Sequence, residues 1–325
     1  MQLALTLFLA TLSPLASFYL HPTFARSVKS SSLDAKLKIS KYHGLGNDFI
    51  LASGTKTPPL STSQSAKLCD RNFGIGADGV IFKLDGDASH EFTMEIHNAD
   101  GTIPEMCGNG IRTLAQYILD TSTVTEALPR EMTIKTGAGT IIPTVTQDRA
   151  IIVDMGFPIF EAAAIPSTLA PNFADGGVVD QDIEVNGRTY KTSLVSMGNP
   201  HVVVFFDTMA DLNIAFDLDA EALECHPAFP ANANIEFVHV TSENHLTMKV
   251  FERGAGPTMA CGTGACALTI AAVRAGKIKS ATEGVTVTLP GGDLNIRWEG
   301  EGGKVWMTGP AQKVFEGEIE TDDWL

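Results

Sequence analysis

The sequence predicts an α+β protein made of two similar halves, and three observations carry that expectation. Short β-branched runs between glycine-rich turns dominate the chain after residue 40, and only a few stretches have helical periodicity. The third observation is an internal repeat at an offset of 154 residues. Thr93-Met94-Glu95-Ile96 lies over Thr247-Met248-Lys249-Val250. Without a gap, Cys107-Gly108-Asn109-Gly110 then lies over Cys261-Gly262-Thr263-Gly264 and Leu114 over Leu268, six identities in 22 columns. Gly46-Asn47 and Gly198-Asn199 precede apolar runs and stand 60 and 62 residues before their respective cysteines. The expected division places residues 41–152 and 307–325 in one half-domain and 153–306 in the other.

Taken in order, the first element is a leader spanning residues 1–40. Met1 to Leu15 is apolar but shorter than a bilayer span, and it ends at Pro14 and the small pair Ala16-Ser17, as a signal-peptide core does. A basic n-region is absent. Phe18 to Ser40 then carries Arg26, Lys29, Lys36 and Lys38 with a serine run and the single acid Asp34, which is transit-peptide chemistry. The combination resembles bipartite plastid presequences, so the expected location is the plastid. This leader has a charge of +3, which leaves −18 on the remaining 285 residues. Nucleic acid is therefore a disfavoured partner, and no later stretch reaches membrane-spanning length.

Strands are expected at Phe92 to His97, Thr140 to Val145, Ala150 to Val153, Val202 to Phe206, Ile235 to Val240, Leu246 to Val250, Val285 to Leu289, Leu294 to Trp298 and Lys304 to Thr308. Pro290-Gly291-Gly292-Asp293 and Gly300-Glu301-Gly302-Gly303 read as hairpin turns. After Cys107, the residues Ile111, Leu114, Ala115, Ile118 and Leu119 form one apolar stripe at helical spacing. After Cys261 the residues Ala265 to Val273 are apolar nearly all round, as in a helix surrounded by sheet, with Arg274, Gly276 and Lys277 as its C-terminal cap.

Five cysteines are too sparse for a disulfide scaffold, and no spacing suits a structural zinc site. Cys69, Cys225 and Cys266 read as inert small hydrophobes. Cys107 and Cys261 differ, because each opens a helix ahead of G-x-G. A thiol there lies at the positive end of the helix dipole, which should lower its pKa toward neutrality. The adjacent orphan N–H groups suit a carboxylate. Facing each other, the two thiols can invert a carbon centre, one removing a proton and the other returning one to the opposite face. A disulfide between them is the rival reading. No pyridoxal-lysine signature occurs, and Gly74 to Gly79 matches G-x-G-x-x-G without the strand that a dinucleotide site requires.

Tyr42-His43-Gly44-Leu45-Gly46-Asn47-Asp48-Phe49, Arg71 to Gly79, Asn98-Ala99-Asp100-Gly101, Met106 to Arg112, Gly198-Asn199-Pro200-His201, Asn232 to Phe237, Glu252 to Gly256 and Ala260 to Cys266 together resemble the diaminopimelate epimerase family. The resemblance implies two mixed β-barrels, each around a central helix, and metal-free, cofactor-free interconversion of LL- and meso-2,6-diaminopimelate in lysine synthesis. Cys107 and Cys261 would be the bases. Asn47, Asn98, Asn199, Asn234 (in preference to Asn232) and Arg253 would hold the non-reacting end of the substrate. Glu252 and His201 would lie near the amino groups and tune the thiols. Backbone groups of Gly108, Asn109, Gly262 and Thr263 would cradle the reacting carboxylate. The partner is thus a small molecule, with a homodimer also compatible. Gly79 and Pro257 depart from the family, in which bacterial members can carry a substrate-contacting glutamine at the first position and an acid is common at the second. The alternatives are a proline or hydroxyproline racemase type of the same fold, and a non-catalytic anion-binding protein.

Overall fold

The computed structural model describes residues 36–123 and 127–321. The leader read from the sequence lies outside the described residues as far as residue 35, but Lys36 to Ser40 already belong to a strand. The first half runs β1 (Lys36–Gly44), β2 (Asn47–Ser53), α1 (Thr62–Cys69), β3 (Gly79–Asp85), β4 (Phe92–Asn98) and α2 (Gly108–Thr121). Five short strands follow: β5 (Arg130–Glu131), β6 (Ile134–Thr136), β7 (Gly139–Ile141), β8 (Thr144–Val145) and β9 (Ile151–Asp154). The second half runs β10 (Gln181–Val185), β11 (Arg188–Ser196), β12 (Pro200–Phe206), α3 (Met209–Glu224), β13 (Asn234–Ser242), β14 (His245–Glu252), β15 (Gly256–Pro257) and α4 (Gly262–Arg274). It closes with β16 (Val285–Leu289), β17 (Gly292–Trp298), β18 (Val305–Gly309) and β19 (Gln312–Glu320).

The repeat is a repeat of topology. β1 and β2 form an antiparallel pair, β2 crosses over through α1 to a parallel β3, and β4 returns antiparallel before pairing in parallel with β6. β11 to β14, α3 and β16 repeat each of these steps. Parallel neighbours need a crossover of a dozen or more residues, which explains why each half inserts a helix between the strands of its parallel pair, β2 to β3 and β12 to β13. The outcome is an α+β protein with mixed sheets around two central helices.

α4 packs against β11, β12, β13, β14, β16, β17 and β18, so its nearly uniform apolar sequence has sheet on all sides. Its end is set by Gly276 at φ +66°, where the Lys277 N–H reaches Ala272 O at 2.8 Å and the Gly276 N–H reaches Val273 O at 3.1 Å. α2 packs against β1, β2, β3, β9 and β19, with Ile111, Leu114, Ala115 and Ile118 buried. Thr140 to Val145, expected as one strand, is two, because Pro143 stands between β7 and β8 and has no N–H for a ladder.

Hydrogen bonding does not divide the chain where the sequence suggested. The boundaries at 152/153 and 306/307 fall inside β9 and β18, and these two strands pair with each other, Met307 opposite Val153. A twelve-stranded sheet therefore contains β5, β8 and β9 as well as β10 to β18, and β19 pairs with β1 at the edge of a seven-stranded sheet. The expected leader boundary at residue 40 likewise falls inside an element: Ile39 is buried, and Lys36 to Ser40 pair with Glu320 to Glu316. No helix among the described residues is long and apolar enough to cross a membrane.

Candidate active site

Each cysteine is the N-cap of its central helix. Cys107 has φ −140° and ψ 121°, and its sulfur accepts the Gly110 N–H at 3.4 Å. Cys261 has φ −121° and ψ 108°, and its sulfur accepts the Gly264 N–H at 3.3 Å. Sulfur stands where a serine or aspartate oxygen normally caps a helix, so each thiol is tied to the positive end of a dipole. All five cysteines are free.

The two helix starts are fastened together. Asn109 Nδ2 donates to Ala260 O at 3.2 Å, linking the first turn of α2 to the residue before Cys261. The same amide nitrogen donates to Asn47 Oδ1 at 3.1 Å, while Asn109 Oδ1 accepts from the buried Arg112 at 3.0 Å. Asn47 lies beside Cys107, its Oδ1 4.0 Å from Sγ, and it donates to Asp78 Oδ2 at 2.6 Å. Arg71 holds Asp78 and Asp48 together, with 2.7 Å contacts to each. Gly108 and Gly262 both face Met307, where an added Cβ would lie 3.2 Å from Cε and 2.9 Å from Sδ respectively.

Around Cys261 a second set gathers. Thr263 Oγ1 is 3.4 Å from its sulfur, Asn199 Nδ2 donates to Thr263 Oγ1 at 3.3 Å, and His201 Nε2 is 3.0 Å from Asn199 Oδ1. His201 Nδ1 meets Glu236 Oε1 at 2.7 Å, with both side chains fully buried. His201, Glu236 and Cys261 each bring a ligand-type atom within 4.8 Å of the others, the one such metal-capable group among the described residues. In this structure the histidine and the carboxylate use those atoms on each other.

Burial pushes the Cys107 thiol above its ordinary value, although the N–H groups of Gly110 and Asn109 and the charge of Arg112 oppose it. Burial pushes Cys261 up further, and the carboxylates of Glu252 and Glu236 add to the rise. Burial thus acts against the expected lowering toward neutrality, and it outweighs the helix terminus at both thiols. Glu252, itself raised by burial, influences both thiols and accepts from Thr258 Oγ1 at 2.5 Å.

The remaining sequence-predicted residues fall into two groups. Asn234 is at the start of β13 opposite His201, but its amide is committed: Nδ2 to Pro200 O at 2.9 Å and Oδ1 to the Arg253 N–H at 3.0 Å. It positions Arg253, whose own side chain is exposed. Asn232 serves a turn at φ +54° and bonds Glu224. Asn98 bonds Thr102 within its own loop and pairs across the ladder with Gly79, where a Cβ would come within 2.8 Å of His97 O. The glycine at this departure is thus required by the backbone. Cys69 and Cys266 are buried and pushed up to about 12 by that burial, as expected of inert thiols. Cys225 is exposed instead, at the C-terminal cap of α3, where its thiol donates to Glu224. Sequence reasoning missed Asp78, Arg112, Met307 and Glu236; the available signal was a charged residue inside the β-branched run of β13.

Fold and site define a class: pseudo-symmetric two-half proteins in which two sheet-wrapped helices present their N-termini to one site. A probable proline racemase from Agrobacterium radiobacter is similar to the chain at TM-score 0.62 and 15% identity, covering 88% of this chain and 93% of that one. A phenazine biosynthesis protein from Bacillus anthracis is similar at TM-score 0.63 and 16% identity, covering 88% and 99%. Those likenesses establish the fold alone. In sequence, the profile of the diaminopimelate epimerase family matches residues 39–161 and 193–314. A diaminopimelate epimerase of a Nostoc species is 48% identical over 288 residues, 87% of this chain and 99% of the relative. That of a Synechocystis species is 48% identical over 286 residues, with the same coverage. The chain belongs to the diaminopimelate epimerase family.

Proposed function

We propose that the chain is an isomerase that interconverts LL- and meso-2,6-diaminopimelate in lysine biosynthesis, using Cys107 and Cys261 as its two bases. The observation that carries the mechanism is the equivalent placement of the two thiols as N-caps of α2 and α4, fastened by the Asn109 bond to Ala260. One thiolate takes the proton from the α-carbon; the electron pair passes into the carboxylate, whose charge the N–H groups of Gly108, Asn109, Gly262 and Thr263 receive; the opposite thiol returns a proton to the other face. Each turnover exchanges which sulfur is protonated.

Burial raises both thiols, with the Glu252 carboxylate adding a smaller contribution at each. A substrate ammonium beside Glu252 would offset that contribution and favour the thiolate. Arg253, together with the second N–H and lone pair that the amides of Asn47, Asn98 and Asn199 keep beyond their protein bonds, supplies donors and acceptors for the far amino-acid end, with Asn234 holding the Arg253 backbone.

Proline-type racemisation shares the fold but has no second amino-acid head to engage these groups. Residues 1–35 direct the chain to the plastid in this reading, supported by their apolar, then basic and serine-rich composition. For a homodimer, the outer edge of β19, which ends its sheet with Val314 and Phe315 exposed, is the surface this reading assigns to a second copy of the chain.

The test uses Cys107→Ser and Cys261→Ser with LL-diaminopimelate in deuterated water. Each variant should bind substrate and lose at least about a thousandfold in kcat, because a hydroxyl is far too weak an acid to form the anion near neutrality. Wild-type enzyme should place deuterium mainly in the newly formed isomer. Early deuterium in unreacted substrate of retained configuration would point to one exchanging base and overturn the two-thiol assignment.

A further inference from the structure

Among the buried carboxylates that the mechanism above does not use, Glu236 lies beside the reacting thiol. Glu236 interrupts the apolar run of β13, is wholly buried, and has Oε1 2.7 Å from His201 Nδ1 while Oε2 has no partner among the described residues. An incompletely satisfied carboxylate in the interior costs stability, so its presence calls for a functional reason. Space has been made for it: a Cβ at Gly264 would lie 2.7 Å from Oε1, so glycine at that position admits the carboxylate beside the first turn of α4.

From Glu236 a chain of hydrogen bonds leads to the reacting sulfur. His201 Nε2 reaches Asn199 Oδ1 at 3.0 Å, Asn199 Nδ2 reaches Thr263 Oγ1 at 3.3 Å, and Thr263 Oγ1 is 3.4 Å from Cys261 Sγ. A neutral ring that gives its one N–H to Glu236 would accept at Nε2 and turn the Asn199 amide over; with His201 charged beside the carboxylate, both ring nitrogens donate and the amide nitrogen faces Thr263. The threonine hydrogen is then left for the sulfur, and a sulfur that accepts it is held as the base.

We propose that Glu236 is a positioning residue for the Cys261 half of the reaction, acting through His201, Asn199 and Thr263 to deliver a hydroxyl hydrogen bond to the thiolate. This rests on the epimerase reading. Other titratable groups facing the chain are Cys261 on α4 and Glu252 on β14, with Cys107 and Asp78 beyond Glu252. Glu252 bonds Thr258, outside the chain, so the two carboxylates are separable.

Glu236→Gln keeps the shape and removes the charge. It should lower kcat on the order of tenfold to a hundredfold, as loss of an orienting partner does elsewhere, with KM changed by no more than about twofold. Thr263→Val should show the same split, and Thr263→Ser, which keeps the hydroxyl, should restore kcat. Because both changes break one chain, the double variant should be no worse than the more severe single one. Wild-type kcat in folded Glu236→Gln, a loss confined to KM, or multiplying effects in the double variant would overturn the proposal. If Glu236→Gln does not fold, Glu236→Asp withdraws the carboxylate by one methylene and is judged by the same outcomes. Wild-type turnover of LL-diaminopimelate is the control: its absence refutes the functional reading, whereas active variants beside active wild type refute only this inference.

Discussion

At the scale of single residues, the two bases are alike in role and unlike in surroundings. Cys107 has the buried cation Arg112 near it, whereas Cys261 faces the carboxylates of Glu252 and Glu236. Both thiols nonetheless lie above the ordinary value, burial being the largest cause, so the thiolate fraction of free enzyme is small at neutral pH and grows as protons are withdrawn. The profile of kcat/KM, which reports the free enzyme, should therefore climb through and above about pH 8. Its decline on the acid side follows the same titration in reverse. A profile already flat by about pH 6 would mean that the thiols do not govern the rate in free enzyme.

At the scale of elements, β1 shows how a composition argument can misplace an edge. Lys36 and Lys38 look like leader chemistry because alternate positions of an edge-near strand face solvent, and Ile39 between polar neighbours is too short a signal to read as core. In the structure Ile39 packs with Ile50, Leu68, Val80 and Phe82, and Lys36 to Ser40 add five pairings to β19. A chain starting at Lys36 should keep its stability and turnover. Starting at Lys41 removes one buried isoleucine, about 2 kcal/mol, together with its strand pairing, so a lower melting temperature is expected on denaturation. Equal melting temperatures for the two truncations would show that this end of β1 adds nothing. The repeat, the central helices and most second-half strands were legible because their apolar periods are clean. α1 and α3 were not: α1 is only eight residues long, and α3 alternates acids with apolar residues over both faces. The site was legible where a motif pairs with its copy, as at the two cysteines. It was illegible where it depends on contact between distant strands, as for Asp78 against Asn47 and Glu236 against His201.

For the whole molecule, the question is what keeps two helices from different halves at one separation. The sheet provides part of the answer, since β18 and β9 join the halves in one ladder. The side-chain part is Met307, wholly buried on β18, against which both helix starts rest through glycine. The two glycines are not equivalent. An added Cβ at Gly108 meets the mobile ends of Met307 and Met155 at 3.2 and 3.3 Å, which can yield. At Gly262 it meets the Met307 sulfur at 2.9 Å, and that sulfur is held by Arg112 Nη1 at 3.4 Å. Gly262→Ala should thus cost about 1–3 kcal/mol and move α4 away from α2. Displacing one base by a fraction of an ångström should lower kcat by about tenfold to a hundredfold. Gly108→Ala should remain within a few-fold of wild type, and replacing Met307 with leucine should recover part of the Gly262→Ala loss by shortening the spacer. Thermal melts and steady-state rates on the four proteins decide the matter. Equal losses at the two glycines, or no recovery with the shorter side chain, would show that the separation of the bases is set by the sheets alone.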